Sequence, residues 1–150
     1  MKPIYFEEYK VGDHFVTNGR TITDWDVYSF AGLTADWNPL HVDEEWCKEN
    51  SQFKRRIAHG PLTTVLGLGL ITRLGCFDGS VIAFLGMDTL RIPAPVFLGD
   101  TIRSEMEVIE KKLSSKGQGI VRFKVEVKNQ RNEVVVHFII ANMVKHLAEA

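Results

Sequence analysis

Residues 36–43 bring together side-chain types that could move a proton. Asp36 and His41 are five residues apart, and between them lies Asn38-Pro39, a turn signal in which the proline favours an extended Asn38. Such a rigid turn can direct a carboxylate and an imidazole towards one point, where both would hold and polarise a single water. One group takes a proton while the other gives one, as general acid–base catalysis requires. The sequence does not decide which of the two takes the proton.

A second candidate feature lies at residues 57–61, where His59-Gly60-Pro61 precedes a long apolar run. Pro61 fits the first position of a helix, and the N–H groups at a helix start are unpaired and carry a partial positive charge. Gly60 has no side chain to obstruct a ligand, so its N–H could stabilise an oxyanion. We favour a structural role for His59 as a cap at the helix start, and the alternative is contact with the substrate.

The second half of the chain predicts the strands that must support these residues. Residues 121–128 alternate apolar and charged side chains with a period of two, as in a strand with one buried face. Residues 134–141 are almost continuously apolar, which indicates a central strand covered on both sides. Residues 80–92 and 100–110 are two further strands, and turn signals separate all of them. We therefore expect an antiparallel meander of four long strands.

A buried helix is predicted just ahead of these strands, starting at Pro61. Gly67 and Gly69 lie inside it and each costs about 1 kcal/mol relative to alanine, so we expect a neighbouring backbone to approach closely there. Other apolar residues surround its main apolar positions, and a helix that is apolar nearly all round is a buried one. Those positions, at helical spacings, are Leu62, Val65, Leu66, Leu70 and Leu74.

The first half predicts a strand at residues 15–22, a helix at residues 24–33 capped by Thr23, and a short helix at residues 43–49. A long antiparallel sheet wrapped around a buried helix is a hot-dog arrangement. The expected fold class is thus α+β, with a sheet of about five strands around a central helix. We predict one such domain over residues 1–150.

Composition excludes several classes of function. The chain has 150 residues, 45% of them hydrophobic and 25% charged, with a net charge of −1, so nothing indicates binding to nucleic acid or to an anionic membrane. The N-terminus lacks the apolar core of a signal peptide, and no stretch approaches the length of a membrane span. Cys47 and Cys76 have no metal-type spacing, and reduced thiols predict a cytoplasmic protein. We expect no metal and no redox cofactor.

Four segments carry a family resemblance. Residues 30–43 are similar to the hydratase 2 motif of MaoC-like dehydratases and (R)-specific enoyl-CoA hydratases. Residues 56–60 resemble the segment that leads into the central helix of this family, and residues 95–101 resemble its hairpin between late strands. Asn129-Gln130 falls where such proteins often have an Asn-Gln pair. These segments occur in the family's order and cover nearly the whole chain.

The resemblance implies a hot-dog fold in which Asp36 and His41 bind and activate a water, supported by Asn38, while Gly60 supplies the oxyanion donor. The implied reaction is the reversible hydration of a trans-2-enoyl thioester, of coenzyme A or an acyl carrier, to a (3R)-hydroxyacyl thioester. Some family members have a serine near the site in the central helix. Residues 65–69 contain no hydroxyl here, which indicates a more apolar acyl pocket.

Substrate and partner contacts complete the expectations. Lys54, Arg55 and Arg56 would by default be a solvated charged run, and their functional interpretation is contact with the phosphates of coenzyme A or phosphopantetheine. A sheet with a single helix leaves edge strands exposed, so we predict at least a homodimer with the site near the partner chain.

Two other functions compete with a hydratase. A hot-dog thioesterase would use a carboxylate and water on the thioester carbonyl, but the Asp36–His41 spacing ahead of the central helix argues against it. A non-catalytic module for acyl-thioester binding or assembly would not need both residues, so we rank it last.

Overall fold

A computed structural model describes residues 1–149. In this part of the chain no helix has the length and apolar character needed to cross a membrane. The elements, in chain order, are β1 (His14–Val16), β2 (Arg20–Thr21), α1 (Asp24–Thr34), α2 (Pro39–Val42), α3 (Glu44–Asn50), α4 (Gly60–Thr72), β3 (Val81–Arg91), β4 (Thr101–Leu113), β5 (Gly119–Lys128) and β6 (Val134–Val144), with single 3-10 turns at Phe6–Glu8 and Leu147–Glu149.

The six strands form one antiparallel sheet in the order β1-β4-β5-β6-β3, and β2 pairs with β4 as a continuation of β1. The predicted strand at residues 15–22 is therefore two short strands, interrupted where the Thr17 hydroxyl accepts from the Ser104 N–H at 2.9 Å. The predicted meander is correct for β4, β5 and β6. It is wrong for β3, which pairs with β6, from Val81 opposite Val144 to Arg91 opposite His137.

This order has a consequence for the connection between β3 and β4. Because β3 and β4 are separated by two other strands, residues 92–100 must cross the end of the sheet. The crossing segment runs beside the start of α4, where the Ala58 N–H donates to the Val96 carbonyl at 2.8 Å and Ile57 bridges Phe97. The segment thus becomes a wall next to the predicted catalytic residues.

Helix α4 packs across the concave face of the sheet, against β4 and β6, which confirms the hot-dog arrangement. A Cβ on Gly67 would lie 2.5 Å from Cγ2 of Val127, so a neighbouring strand does approach this glycine closely, but through its side chains and not through the backbone that we expected. The same prediction is wrong for Gly69, which has nothing within 4 Å. Val65 is half exposed, so one side of α4 faces away from the core.

Strand β6 and helix α2 depart in detail from the prediction, whereas α1 and α3 form close to where it placed them. The inner face of β6 is buried, but its outer face is only half buried, since no second layer within residues 1–149 covers it. Helix α1 begins as predicted, with the Asp26 carboxylate accepting from both the N–H and the hydroxyl of Thr23 at 2.8 Å. The short helix α3 also forms, but α2 lies where we expected only a turn.

Candidate active site

The loop after α1 places Asp36 and His41 on opposite sides of a tight turn. Ala35 ends α1 in the left-handed conformation, with φ 62°. The Asp36 carboxylate accepts from the Asn38 N–H at 3.3 Å, and the Asn38 side chain accepts from the Leu40 N–H at 2.9 Å. Asn38 is thereby the cap of α2, which carries His41. The Asn38 side chain thus holds the first turn of the helix that carries His41.

The His41 ring has a defined proton arrangement. Its Nδ1 lies 2.8 Å from the Ile57 carbonyl, and because a carbonyl only accepts, Nδ1 carries the proton. In the neutral ring Nε2 therefore keeps its lone pair. Burial is the largest influence on the pKa of His41 and lowers it from 6.5, and His59 lowers it further, against opposing effects of the Ile57 carbonyl and Asp36. A neutral imidazole of this kind is ready to accept a proton from water.

His59 contacts both Asp36 and His41. It is fully buried, its ring stacks on that of His41 with 3.8 Å between centroids, and its Nε2–H donates to the main-chain carbonyl of Asp36 at 3.0 Å. The side chain makes no cap hydrogen bond to α4, so the expected capping interaction is absent. Instead His59 connects the loop of Asp36 with the ring of His41.

Asp36, His41 and His59 each offer one ligand atom, and these atoms lie within 4.8 Å of one another. Two histidines and a carboxylate are a donor set that transition metals accept. The two rings are stacked at 29°, however, and each already donates one N–H to a carbonyl. An ion between stacked rings would lie out of both ring planes, where the nitrogen lone pairs do not point. This geometry is therefore poorly suited to a metal ion.

A cavity of about 430 Å³ opens beside His41. Gly60 lines it and begins α4, and its N–H has no acceptor in residues 1–149. A Cβ on Gly60 would lie 2.5 Å from Cδ1 of Ile92, so a larger residue here would have to displace the end of that side chain. The remaining walls are largely apolar and include Phe53, Ile57, Ala58, Pro93, Ala94, Pro95 and Val96.

Thr63 is a further candidate residue, which was not predicted from the sequence. It lines the cavity one turn after Gly60, and its hydroxyl donates to the His59 carbonyl at 3.2 Å. The stretch 65–69 lacks a hydroxyl as noted, but Thr63 supplies one earlier in α4. The signal was available, because residues three apart on a helix share a face.

The basic run at residues 54–56 divides into two parts. Arg56 is largely buried and pairs with Asp24 at 2.8 Å and with Glu44 at 3.3 Å, so its guanidinium links α1 to α3. Lys54 is exposed, and the guanidinium of Arg55 lies 4.6 Å from the ring centre of Phe97. Lys54 and Arg55 therefore remain available for phosphate contact, whereas Arg56 is already held by carboxylates.

Residues 7–130 match the model of the MaoC like domain. The chain belongs to the MaoC-like dehydratase family. It is 38% identical, over 105 residues and 69% of each chain, to the (R)-specific enoyl-CoA hydratase of Rhodospirillum rubrum. The structure of the monoamine oxidase regulatory protein of Archaeoglobus is similar, with a TM-score of 0.88, 40% identity and 97% of each chain covered. The R-hydratase PhaJ1 of Pseudomonas aeruginosa gives a TM-score of 0.81 at 33% identity, over 96% of this MaoC-like chain and 87% of its own.

Proposed function

We propose that this MaoC-like protein is a hydro-lyase that reversibly hydrates a trans-2-enoyl thioester to a (3R)-hydroxyacyl thioester. The observation that carries the proposal is the arrangement of Asp36 and a neutral His41 around one position beside an apolar cavity. The hydratase names of its relatives support the reaction class and the R configuration.

The mechanism uses the Asp36 carboxylate and Nε2 of His41, because Nδ1 of His41 already donates to the Ile57 carbonyl. Asp36 and Nε2 of His41 hold one water, and the water oxygen bonds to C3 as its proton passes to Nε2. The electrons of the C2–C3 double bond move towards the thioester carbonyl, whose oxygen accepts from the Gly60 N–H. His41 then returns the proton to C2. One O–H bond is broken and a C3–O and a C2–H bond are formed, so no metal or redox cofactor is needed.

The substrate contacts follow from the walls of the cavity. Its apolar walls suit an acyl chain, and the exposed Lys54 and Arg55 suit the phosphates of coenzyme A or phosphopantetheine. Thr63 adds a hydroxyl next to Gly60, and because its proton is donated to the His59 carbonyl, its oxygen can only accept from a substrate group.

The test uses crotonyl-CoA and the absorbance of the enoyl-thioester band. We expect the wild type to remove the band, and Asp36→Asn and His41→Gln each to lower kcat by about 100-fold or more. His14→Gln is the matched control, because His14 is an exposed histidine on β1. Chiral analysis of the product gives its configuration. Release of free thiol instead would identify a thioesterase, and full activity in both variants would reject the proposed mechanism.

We further propose that the active form is a homodimer paired through β3. This strand is an edge of the sheet, and Ile82, Phe84 and Leu85 on it are each about half exposed. A second copy would cover both the apolar side chains and the unpaired backbone groups of the edge. Sedimentation should show a dimer for the wild type and for Leu113→Lys, a leucine on β4 that is at least as exposed, but a monomer for Leu85→Lys. A monomeric wild type would contradict this assembly.

A further inference from the structure

Tyr28 of α1 contacts three segments that meet at the candidate active site. Its hydroxyl donates to the Val42 carbonyl at 3.2 Å. The centre of its ring lies 6.3 Å from that of a Trp37 ring and 5.9 Å from the guanidinium carbon of Arg56. Each contacted residue is the direct sequence neighbour of a residue that forms the site, namely Asp36, His41 or Ile57.

The hydroxyl of Tyr28 bonds to the last carbonyl of α2, the helix that carries His41. Helix α2 has only four residues, and a helix this short needs outside support, because its first turn costs more conformational entropy than its few hydrogen bonds return. The Asn38 cap holds its start, and the Cys47 thiol contacts its first two carbonyls at 3.5 and 3.4 Å. No backbone N–H in residues 1–149 bonds to the Val42 carbonyl, so the Tyr28 hydroxyl is the donor that holds the end of α2.

The ring of Tyr28 lies against the loop that carries Asp36. Trp37 is half exposed, and its indole packs on α1 beside the Tyr28 ring and 3.9 Å from where a Cβ on Gly32 would be. Gly32 is one turn after Tyr28, so the two residues share the face of α1 that the indole covers. Because Trp37 directly follows Asp36, an indole held on α1 restricts the main chain at Asp36.

Tyr28 and His59 hold the same turn from different sides. His59 is fully buried, whereas Tyr28 is 43% exposed and does not line the cavity. We propose that Tyr28 is a positioning residue, which fixes Asp36 and His41 relative to each other through its ring and its hydroxyl. Because it takes these two residues to be the catalytic pair, this proposal rests on the proposed function.

Removal of the hydroxyl alone gives the first test. We expect Tyr28→Phe to lower kcat with crotonyl-CoA about three- to tenfold with little change in KM, because the end of α2 loosens while the cavity walls stay in place. Tyr28→Leu also removes the ring and should lower kcat further. Tyr5→Phe is the matched control, the same substitution in the cap of the N-terminal 3-10 turn, and it should leave kcat unchanged.

The His41 ring gives a second readout that needs no turnover. The titratable groups that face this ring are Asp36 and His59, and burial is the largest influence on its pKa. A looser α2 exposes the ring to water, so its pKa should move up towards 6.5 in Tyr28→Phe. NMR titration of the ring nitrogens in the free protein, assigned with His41→Gln, measures this, and Tyr5→Phe should titrate like the wild type.

The outcomes separate a positioning role from a structural one. A lower Tm in Tyr28→Phe with unchanged kcat and an unchanged titration of His41 would overturn the proposal. A change in KM alone would also overturn it, because Tyr28 would then act on substrate binding. If the wild type hydrates no enoyl thioester, the proposed function fails, and the NMR titration still decides whether Tyr28 positions His41.

Discussion

The buried imidazole of His59 has two separable contacts with the candidate catalytic pair. Its Nε2–H holds the Asp36 main chain, and its ring face holds the ring of His41. His59→Phe keeps an aromatic face but loses the donor, so Asp36 should shift and kcat should fall about tenfold with little change in KM. Steady-state kinetics with crotonyl-CoA measure this. His59→Gln, which can still donate, should recover part of the loss, and an unchanged kcat in His59→Phe would show that the hydrogen bond does not position Asp36.

The lowered pKa of His41 predicts where activity should be lost as the pH falls. Burial disfavours the charged ring, so protonation of the folded protein occurs below the ordinary value of 6.5. Since only the neutral ring accepts the proton of water, kcat/KM should stay level down to pH 6.5 and fall at lower pH. The pH profile of kcat/KM reports this ionisation in the free enzyme. A limb centred above 6.5 would assign the ionisation to another group or show that burial does not dominate.

The sequence located the residues whose roles depend on local spacing. Asp36, Asn38 and His41 lie in one turn, and Gly60 is the first residue of one helix. The positions of these four residues therefore follow from their neighbours in the sequence. The stacking of His59 on His41 brings together two segments 18 residues apart, and no periodic pattern encodes such a contact. Roles in catalysis for these residues stay predictions until the variants are measured.

At the scale of elements, the sequence predicted the strands but not their order. Alternation of apolar and polar residues identifies β5 and the face it buries, and the turn signals on either side identify β3, yet neither pattern states which neighbour a strand pairs with. Pairing of β3 with β6 is a non-local choice that forces residues 92–100 across the sheet. This crossing is also what brings Ile92 to Gly60, so the wrong meander concealed one wall of the site. Helix α2 escaped prediction because four residues are too few to show a helical period.

Two glycines in α4 give a matched test of its packing. Gly67→Ala would place a methyl group 2.5 Å from Cγ2 of Val127, so either the buried Val127 side chain or α4 must move, which should lower the free energy of unfolding by about 1–3 kcal/mol. Gly69→Ala meets nothing within 4 Å and should raise it by about 1 kcal/mol through helix propensity. Urea denaturation of both variants measures the difference. Equal effects of the two substitutions would mean that α4 does not approach β5 as closely as described.

The two ends of the molecule are joined by a group of charged contacts. The carboxylate of Glu7 accepts from His146 at 2.6 Å and from the Leu147 N–H at 2.8 Å, and the other ring nitrogen of His146 contacts the Gly117 carbonyl at 2.9 Å. With both ring nitrogens beside acceptors, His146 is best satisfied when it is protonated. The contact therefore links the N-terminal 3-10 turn to the C-terminal one, and it is complete only when Glu7 is ionised and His146 is protonated.

This terminal contact predicts a window of pH in which it stabilises the fold. The hydrogen bond from His146, with help from the Leu147 N–H, lowers the pKa of Glu7 from 4.5 to about 2, and Glu7 raises that of His146 above 6.5. The contribution of Glu7 is therefore complete above pH 4.5 and lost as pH falls towards 2. The contribution of His146 is complete below pH 6.5 and lost as pH rises through its raised pKa.

Glu7→Gln should accordingly lower Tm most at about pH 5.5 and much less at pH 9, where His146 is neutral in both proteins. Glu45→Gln is the control, because Glu45 pairs with Lys48, whose charge persists across this range, so its smaller effect should not change between the two conditions. Thermal unfolding at both values of pH measures the differences. If Glu7→Gln lowers Tm equally at pH 5.5 and pH 9, the stabilising bond is to the Leu147 N–H alone, and the protonated His146 contributes nothing to holding the termini together.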